Sequence, residues 1–352
     1  MLKIGVLLGD DIGLEVVPEA VKAMQAAAAK TGLQVEWHEL PIGRAAHELH
    51  GHTMPDYTVS RLAQTDGWLC GPIGHASYPR NDPTWIMPPL RKRFELYASV
   101  KPVKSYSNVK SLHKDVDIVF VREVTEGMQS SDTIVAGAAE FRPNDEITIA
   151  SRVITRKGSN RAARAAFEIA RTRKRPKVTA VHKEPVYRLA CGMFAEECRK
   201  VAKEYPDVEY DEALVDGFSM KLMMDPWRYD VVVTTNQFGD ILTDQGAGLV
   251  GGLGLAPGLC IGERQAMSQA THGSAPDIAG RNIANPYALV MSGAMLLEWL
   301  GRKRSDARAL DAARRIDGAV ERVIAEAKWL TPDLGGTATT MQMGDAIAAS
   351  IS

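Results

Sequence analysis

The chain has 352 residues, with 42 Lys and Arg against 43 Asp and Glu, for a formal net charge of −1. That balance argues against nucleic-acid binding through bulk positive charge, and no run approaches the roughly 18 apolar residues of a membrane span. Hydrophobic residues at 45% and charged residues at 24% are ordinary globular usage, and the length suffices for about two domains with a large core.

The N-terminal apolar stretch is short and runs at once into Asp10 and Asp11, unlike a signal peptide. Cys70, Cys191, Cys198 and Cys260 have no metal or disulfide spacing and read as reduced, buried thiols of a cytoplasmic protein.

Ile4 to Leu8 is an apolar run ending in Gly9; Val17, Ala20, Val21, Met24 and Ala28 then recur at helical spacing. Strand, glycine turn and helix open an α/β unit. Residues 34–40 alternate like a strand, 61–63 fall in a helix, and 67–70 are a third strand candidate. From Pro72 to Pro89, five prolines disfavour regular structure and predict a long functional loop. Residues 96–103 and 117–121 read as strands, and the short alternating runs of 133–154 as an extended β arm. Gly158-Ser159-Asn160 is placed as the cap of a helix over 162–171. The cations Arg171, Arg173, Lys174, Arg175 and Lys177 read either as a phosphate patch or as charges facing a helix C-terminus. A strand over 178–181, a helix over 186–204, a strand over 230–235 and a glycine-rich run from Gly246 to Gly262 precede a mostly helical final third.

Asp240 and Asp244 follow directly on the 230–235 strand. Their i,i+4 spacing projects them from one helical face, about 5–6 Å apart at the β-carbons, at the strand end where α/β sites lie. They read either as solvated acids or as oxygen ligands for Mg²⁺ or Mn²⁺. Asp216, at the end of another apolar stretch, adds a third acid. Arg91, Lys101 and Arg122 supply cations; arginine grips a carboxylate by two parallel hydrogen bonds and lysine does not. Several cations beside a divalent metal would recognise a di- or tricarboxylate. Lys183, just after the 178–181 strand, reads either as a surface charge or as a base with a lowered pKa.

Together these residues resemble the metal-dependent β-decarboxylating dehydrogenases, which include the isopropylmalate, isocitrate, homoisocitrate, tartrate and D-malate enzymes. The resemblance runs over nearly the whole chain in five ordered segments. These are Gly9-Asp10-Asp11-Ile12-Gly13-Leu14-Glu15-Val16, then Leu90-Arg91-Lys92 with Tyr97-Ala98-Ser99-Val100-Lys101-Pro102, then Val121-Arg122-Glu123-Val124-Thr125-Glu126-Gly127. Asn236 to Asp244 is the fourth, and His272-Gly273-Ser274-Ala275-Pro276-Asp277-Ile278-Ala279-Gly280 with Ile283-Ala284-Asn285-Pro286 the fifth.

The resemblance implies an α/β fold of the isopropylmalate/isocitrate dehydrogenase kind: two α/β domains, a cleft between them, and a β arm at a dimer interface. Residues 1–97 with 250–352 would form a cofactor-binding domain, and 98–249 a central substrate and dimerisation domain with its arm at about 130–155. It implies a homodimer with shared sites, Lys183 and Asp216 coming from the partner subunit. Asp240 and Asp216, with Asp244 beside them, would hold the metal. Arg91, Lys101 and Arg122 would hold substrate carboxylates, with Met87 and Gln129 at the substrate, and Lys183 would assist deprotonation of the hydroxyl. The loop residues His272, Gly273, Ser274, Ala275, Asp277 and Asn285 would bind the cofactor, and an acid at Asp277 favours NAD over NADP.

Four departures stand out. The family's tyrosine after the third arginine is Gln129, which hydrogen-bonds but is no acid near neutrality. Lys101 stands for an arginine, Pro185 for an asparagine, and Asp11 and Leu14 for glycine and proline. They point to an altered substrate or chemistry, and leave open a dehydrogenase that decarboxylates slowly or a non-catalytic regulatory paralogue. Trp85, Ile86 and Met87, before Arg91, suit an apolar substituent and an isopropylmalate-like acid.

Overall fold

The computed structural model describes residues 1–74, 78, 86–130 and 140–352. In chain order its first elements are β1 (Leu2–Leu7), α1 (Gly13–Thr31), β2 (Val35–Glu39), α2 (Gly43–His50), α3 (Asp56–Leu62), β3 (Gly67–Cys70) and α4 (Met87–Arg93). The middle of the chain forms β4 (Ala98–Lys104), β5 (Asp117–Glu123), β6 (Glu140–Asn144), β7 (Ile147–Ala150), α5 (Arg156–Ala170), β8 (Lys177–His182), α6 (Ala190–Ala202), β9 (Glu209–Leu214), α7 (Val215–Met224), β10 (Val231–Thr234) and α8 (Asn236–Val250). The last third supplies β11 (Leu259–Ile261), β12 (Ala266–Ser268), α9 (Tyr287–Arg304), α10 (Ala307–Glu326) and α11 (Thr340–Ala349).

Ten strands make one mixed sheet in the order β2-β1-β3-β12-β11-β4-β5-β10-β8-β9. Both ends are parallel, while β12–β11, β11–β4 and β4–β5 are antiparallel. Late strands β11 and β12 therefore sit between the early β3 and β4. The chain builds one end of the sheet, crosses to build the other, and returns.

The sheet is buried on both faces, which explains its near-continuous apolar strands. In β5, Val119 and Val121 enter a core with Phe167 of α5 and Phe194 of α6. Ile118 and Phe120 alternate to the opposite face, against Phe218 of α7 and Leu242 and Leu249 of α8. At the other end Val16, Val17, Ala20 and Met24 form the buried stripe of α1, packed with α9, α10 and α11. Thr339 and Gln342 close a capping box on α11, satisfying two otherwise orphaned N–H groups. Among the described residues no helix is long and apolar enough to cross a membrane.

Several expectations shift. Helix α5 begins earlier than placed: Thr155 is its cap, accepting from the Gly158 N–H, and Gly158 to Asn160 lie within the helix. The proline loop ends early, because Met87-Pro88-Pro89 starts α4; proline is tolerated there since first-turn N–H groups have no helical partner. The expected helix over 186–204 is confined to α6, while 183–187 make a turn through bonds from Val186 and Tyr187 to the Lys183 carbonyl. The β6–β7 pair lies within the expected arm and is exposed; the arm's residues 131–139, and Pro83, Thr84 and Trp85, lie outside the described residues. All four cysteines are free and buried. Arg171, Arg173 and Lys177 pair with carboxylates, and Arg175 donates to the Trp227 and Tyr229 carbonyls.

Candidate active site

Strands β4 and β5 run antiparallel with Ser99 opposite Arg122 and Lys101 opposite Phe120. Short helix α4 brings Arg91 over their ends, and α8 starts directly after β10. Between them lies a cavity of about 340 Å³, whose wall includes Arg91, Lys101, Arg122, Gln129, Asp240 and His272. Pro72, Ile73, Met87 and Pro88 form an apolar side next to Arg91. The structure thus gathers all three expected carboxylate-binding cations, Met87, Gln129, one expected metal ligand and the head of the cofactor loop.

Arg122 is only 6% exposed and is held from three sides. Its Nε and Nη2 donate to Asn236 Oδ1 at 3.1 and 2.6 Å, and Nη2 also donates to Gln129 Oε1 at 2.9 Å. Its Nη1 pairs with Asp240 Oδ1. Gln129 closes the triangle by donating from Nε2 to Asp240 Oδ2 at 2.8 Å. Burial pushes the Asp240 carboxyl up, but Arg122, Gln129 and Lys101 together hold it below the ordinary carboxylate range.

Two glycines permit this packing. A Cβ at Gly239 would stand 2.6 Å from Arg122 Cγ, so the arginine lies flat on α8 only because position 239 has no side chain. Gly127 has φ +94, and a Cβ there would stand 3.0 Å from the Asn236 Cβ, in the turn that precedes Gln129.

Lys101 is 9% exposed and donates to Thr243 Oγ1 at 3.1 Å. Burial, then Arg122, push its pKa down to about 8. Arg91 donates from Nη2 to Gln269 Oε1 at 3.0 Å, while its Nε is buried with no partner among the described residues. An unpartnered guanidinium N–H facing other cations is a ready anion site.

Asp244 is on α8 one turn beyond Asp240, exposed and outside the cavity wall. Lys183 and Asp216 are not brought to the cavity either. They pair with each other at 2.5 Å, with side chains 22% and 68% exposed. The three expected metal acids therefore do not meet within one chain. The donor chemistry fits a hard cation: carboxylate oxygens at Asp240 and Asp244 from one helix face, with the remaining donor required from elsewhere. The described cluster that does converge, His182, Glu184 and Glu212, already has both carboxylates bridged by Arg199.

The loop after β12 packs on the start of α1, with Ile12 N–H donating to the Ser274 carbonyl and Gly280 N–H to Glu15 Oε1. Asp277 and Gly273 are exposed on it, Ser274 is buried, and Ala275 adopts φ +43. His272 Nδ1 hydrogen-bonds the Gly273 carbonyl, and Nε2 is buried without a partner among the described residues. That orphan ring nitrogen fits a ligand edge carrying N–H groups, as the expected cofactor would. Asn285, also expected at the cofactor, donates to Asp333 Oδ2 and accepts from the Tyr287 N–H.

A sequence profile of the isocitrate/isopropylmalate dehydrogenase family matches residues 3–347. The chain belongs to that family. It is 40% identical over 349 residues to the 3-isopropylmalate dehydrogenase of Archaeoglobus fulgidus, covering 99% of each chain. It is 41% identical over 352 residues to the isocitrate/homoisocitrate dehydrogenase of Thermus thermophilus, covering 99% of this chain and 98% of the other. The crystal structure of isocitrate dehydrogenase from Methylococcus capsulatus superposes with a TM-score of 0.89 at 41% identity, covering 100% and 99% of the two chains. The fold is therefore the isocitrate dehydrogenase fold. The protein is an oxidoreductase of a family of NAD(P)- and divalent-metal-dependent dehydrogenases acting on hydroxy acids.

Sequence reasoning had no role for Asn236, Gln269 or Thr243, which hold Arg122, Arg91 and Lys101 respectively. Asn236 sat in a quoted segment, so a polar residue opening a site helix was its available signal. Gln269 had none.

Proposed function

We propose that the chain is a cytoplasmic, homodimeric, NAD- and Mg²⁺- or Mn²⁺-dependent enzyme. Its substrate is a (2R)-2-hydroxy acid with a β-carboxylate, a substituted malate of the 3-isopropylmalate kind, which it oxidises and decarboxylates. The observation that carries this is the convergence of Arg91, Lys101 and Arg122 on one cavity whose wall also bears Asp240. Names of relatives, 3-isopropylmalate and isocitrate/homoisocitrate dehydrogenases, support the same chemistry. The apolar side formed by Ile73, Met87 and Pro88 favours an alkyl substituent over a third carboxylate.

In this reading the cleft lies between a unit of residues 1–97 with 250–352 and one of 98–249. Arg91 and Arg122 bind the carboxylates, and Lys101 adds positive charge between them. Asp240, Asp244 and Asp216 of the partner subunit hold the cation, and Lys183 of the partner subunit takes the hydroxyl proton. When bound, the cation supplies charge stabilisation at the hydroxyl oxygen and NAD supplies the hydride acceptor. His272, Gly273, Ser274, Ala275 and Asp277 form the cofactor loop, the exposed Asp277 favouring ribose hydroxyls over a 2′-phosphate. Asn285, held by Asp333, would contribute a further polar contact to the cofactor.

Exposed apolar side chains on three elements support a second copy. Met220, Met224 and Ile241 of α7 and α8 are exposed, as are Phe141, Ile147 and Ile149 of the arm. Lys183 and Asp216 pair with each other and do not line their own chain's cavity.

The test is NADH formation with Mn²⁺ over a panel of (2R)-malates, with CO₂ followed in parallel. No turnover on any member, with metal binding demonstrated, would sink the reading; NADH without matching CO₂ would restrict it to simple dehydrogenation. Shared sites have their own test. Mixing inactive Lys183→Ala and Asp240→Asn chains should restore about a quarter of wild-type activity, since half the dimers then hold one intact site. No recovery on subunit exchange refutes sharing.

A further inference from the structure

Proton return to carbon is the step for which the expected group is missing. Loss of CO₂ leaves an electron pair on the carbon that carried it, delocalised as an enolate onto the C2 oxygen. A C–H bond must form there at the expense of an acid. No tyrosine among the described residues lines the cavity, and Gln129 has no proton to give.

The remaining wall residues can be taken in turn. Arg91 and Arg122 do not release protons in proteins. Asp240 is already ionised against Arg122. The hydroxyls and amides of Ser99, Ser130, Thr271, Asn236 and Gln269 do not ionise near neutrality. Burial lowers the pKa of His272, leaving it neutral with Nδ1 committed to the Gly273 carbonyl. Among the described wall residues of one chain, Cys260 and Lys101 are left.

Lys101 has the better geometry. It extends from the centre of β4 into the cavity, and its aliphatic stem passes Gly258. Its ammonium makes one hydrogen bond, to Thr243, and no ion pair among the described residues. The charged groups facing it are Arg122 from β5, Asp240 and Asp244 from α8, and Arg91 from α4. Burial and the two arginines outweigh the two acids, so its pKa falls to about 8. A lysine poised there loses a proton readily at working pH; an arginine in its place would not.

We infer that Lys101 donates the proton to the carbon vacated by CO₂. The lysine and the glutamine are then one exchange: the acid absent at position 129 is supplied from position 101. The new C–H bond takes its proton from the Nζ–H bond, leaving a neutral amine that regains a proton from water, with no change in oxidation state. This rests on the proposed function.

The step can be isolated in reverse, as exchange of the product's C3 hydrogen with D₂O. The assay uses the decarboxylated 2-oxo acid of a substrate that the wild type oxidises, with Mg²⁺ and NADH, followed by proton NMR. Wild-type enzyme should exchange, with a rate that rises through pH about 8 as the amine forms. Lys101→Arg keeps the cation but should slow exchange by on the order of 100-fold or more, with far less change in KM. Adding Gln129→Tyr to that variant should restore exchange, and Cys260→Ser should not abolish it. Exchange by Lys101→Arg at the wild-type rate, or its loss in Cys260→Ser, overturns the proposal. If Lys101→Arg does not fold, the wild-type profile decides: exchange that is flat from about pH 7 to 9 overturns it as well. Failure of the wild type to oxidise any panel member overturns the proposed function, and this proposal with it.

Discussion

Replacing Arg122 by lysine isolates geometry from charge. The guanidinium makes two hydrogen bonds to Asn236 Oδ1 and one to Gln129 Oε1, besides its ion pair with Asp240. A lysine ammonium can keep the ion pair but cannot span the other acceptors in one plane. Asn236 is 2% exposed, so its oxygen loses its charged donor inside the protein. A buried acceptor left unpaired costs about 1–3 kcal/mol, and Gln129 loses its anchor as well. We expect Arg122→Lys to destabilise by about 2–4 kcal/mol. At roughly 2 °C per kcal/mol, its Tm by circular dichroism falls about 4–8 °C. Losing one charge-assisted bond to a substrate carboxylate, about 1.5–3 kcal/mol, lowers kcat/KM about 10- to 150-fold. An unchanged Tm would show that the described network does not hold Arg122. A normal Tm drop with kcat/KM within about threefold of wild type would make Arg122 a scaffold residue, not a carboxylate ligand.

Three further outcomes follow from the same structure. Asp240→Asn should weaken Mg²⁺ binding by more than about tenfold in titration calorimetry; unchanged affinity would remove Asp240 from the metal set. Asp11 has φ +51, so Asp11→Ala should cost about 1 kcal/mol in thermal denaturation while Asp11→Gly should not, and equal losses would discount the backbone argument. Burial and the charge of Glu123 raise the Glu126 carboxyl to about 7, above its unfolded value. A raised folded pKa gives stability that is full below the unfolded pKa and is lost as pH rises through the folded one. Tm should therefore decline from pH about 4.5 to 7, and Glu126→Gln should flatten that decline; an identical slope would exclude Glu126 as its source.

Much of this was legible because the relevant signals are local. Strand-forming runs ending in Arg122 or followed by Asp240 and Asp244 mark where side chains emerge at a sheet's end, and the five ordered segments are each contiguous. Asp11 is instructive: the resemblance implies glycine there, and the positive φ shows why, while aspartate is among the residues that tolerate it. What was hidden depends on contacts between distant residues. Gln269 holds Arg91 across 178 positions, and Asn236 holds Arg122 across 114. No periodicity encodes such pairs. The start of α5 was misplaced for a different reason: Gly158 and Ser159 look like a cap, but Thr155 three residues earlier makes the capping bond. The separation of Lys183 and Asp216 from their own chain's cavity is implied by the resemblance alone; nothing local signals it, since both follow strands of the same sheet.

Gln129 shows why a residue lost to one role is not idle. Its amide accepts from Arg122 and donates to Asp240, a pairing that requires both an acceptor and a donor on one short planar group. On the proposed function, the group that would recognise carboxylates is thereby tied to one that would hold a cation, and the two charges offset each other. A cation taking Asp240 would release Arg122 for a carboxylate, and a carboxylate taking Arg122 would release Asp240 for a cation. The two binding events would thus be coupled through the same broken contacts, and linkage would make that coupling reciprocal. The near-zero net charge of the chain conceals this arrangement. Among the described residues, three cations and one acid share the cavity wall, with the acid already matched to one cation, so this wall keeps a net positive charge and a single carboxylate. Both features are what a dicarboxylate and a second subunit's acid would complete.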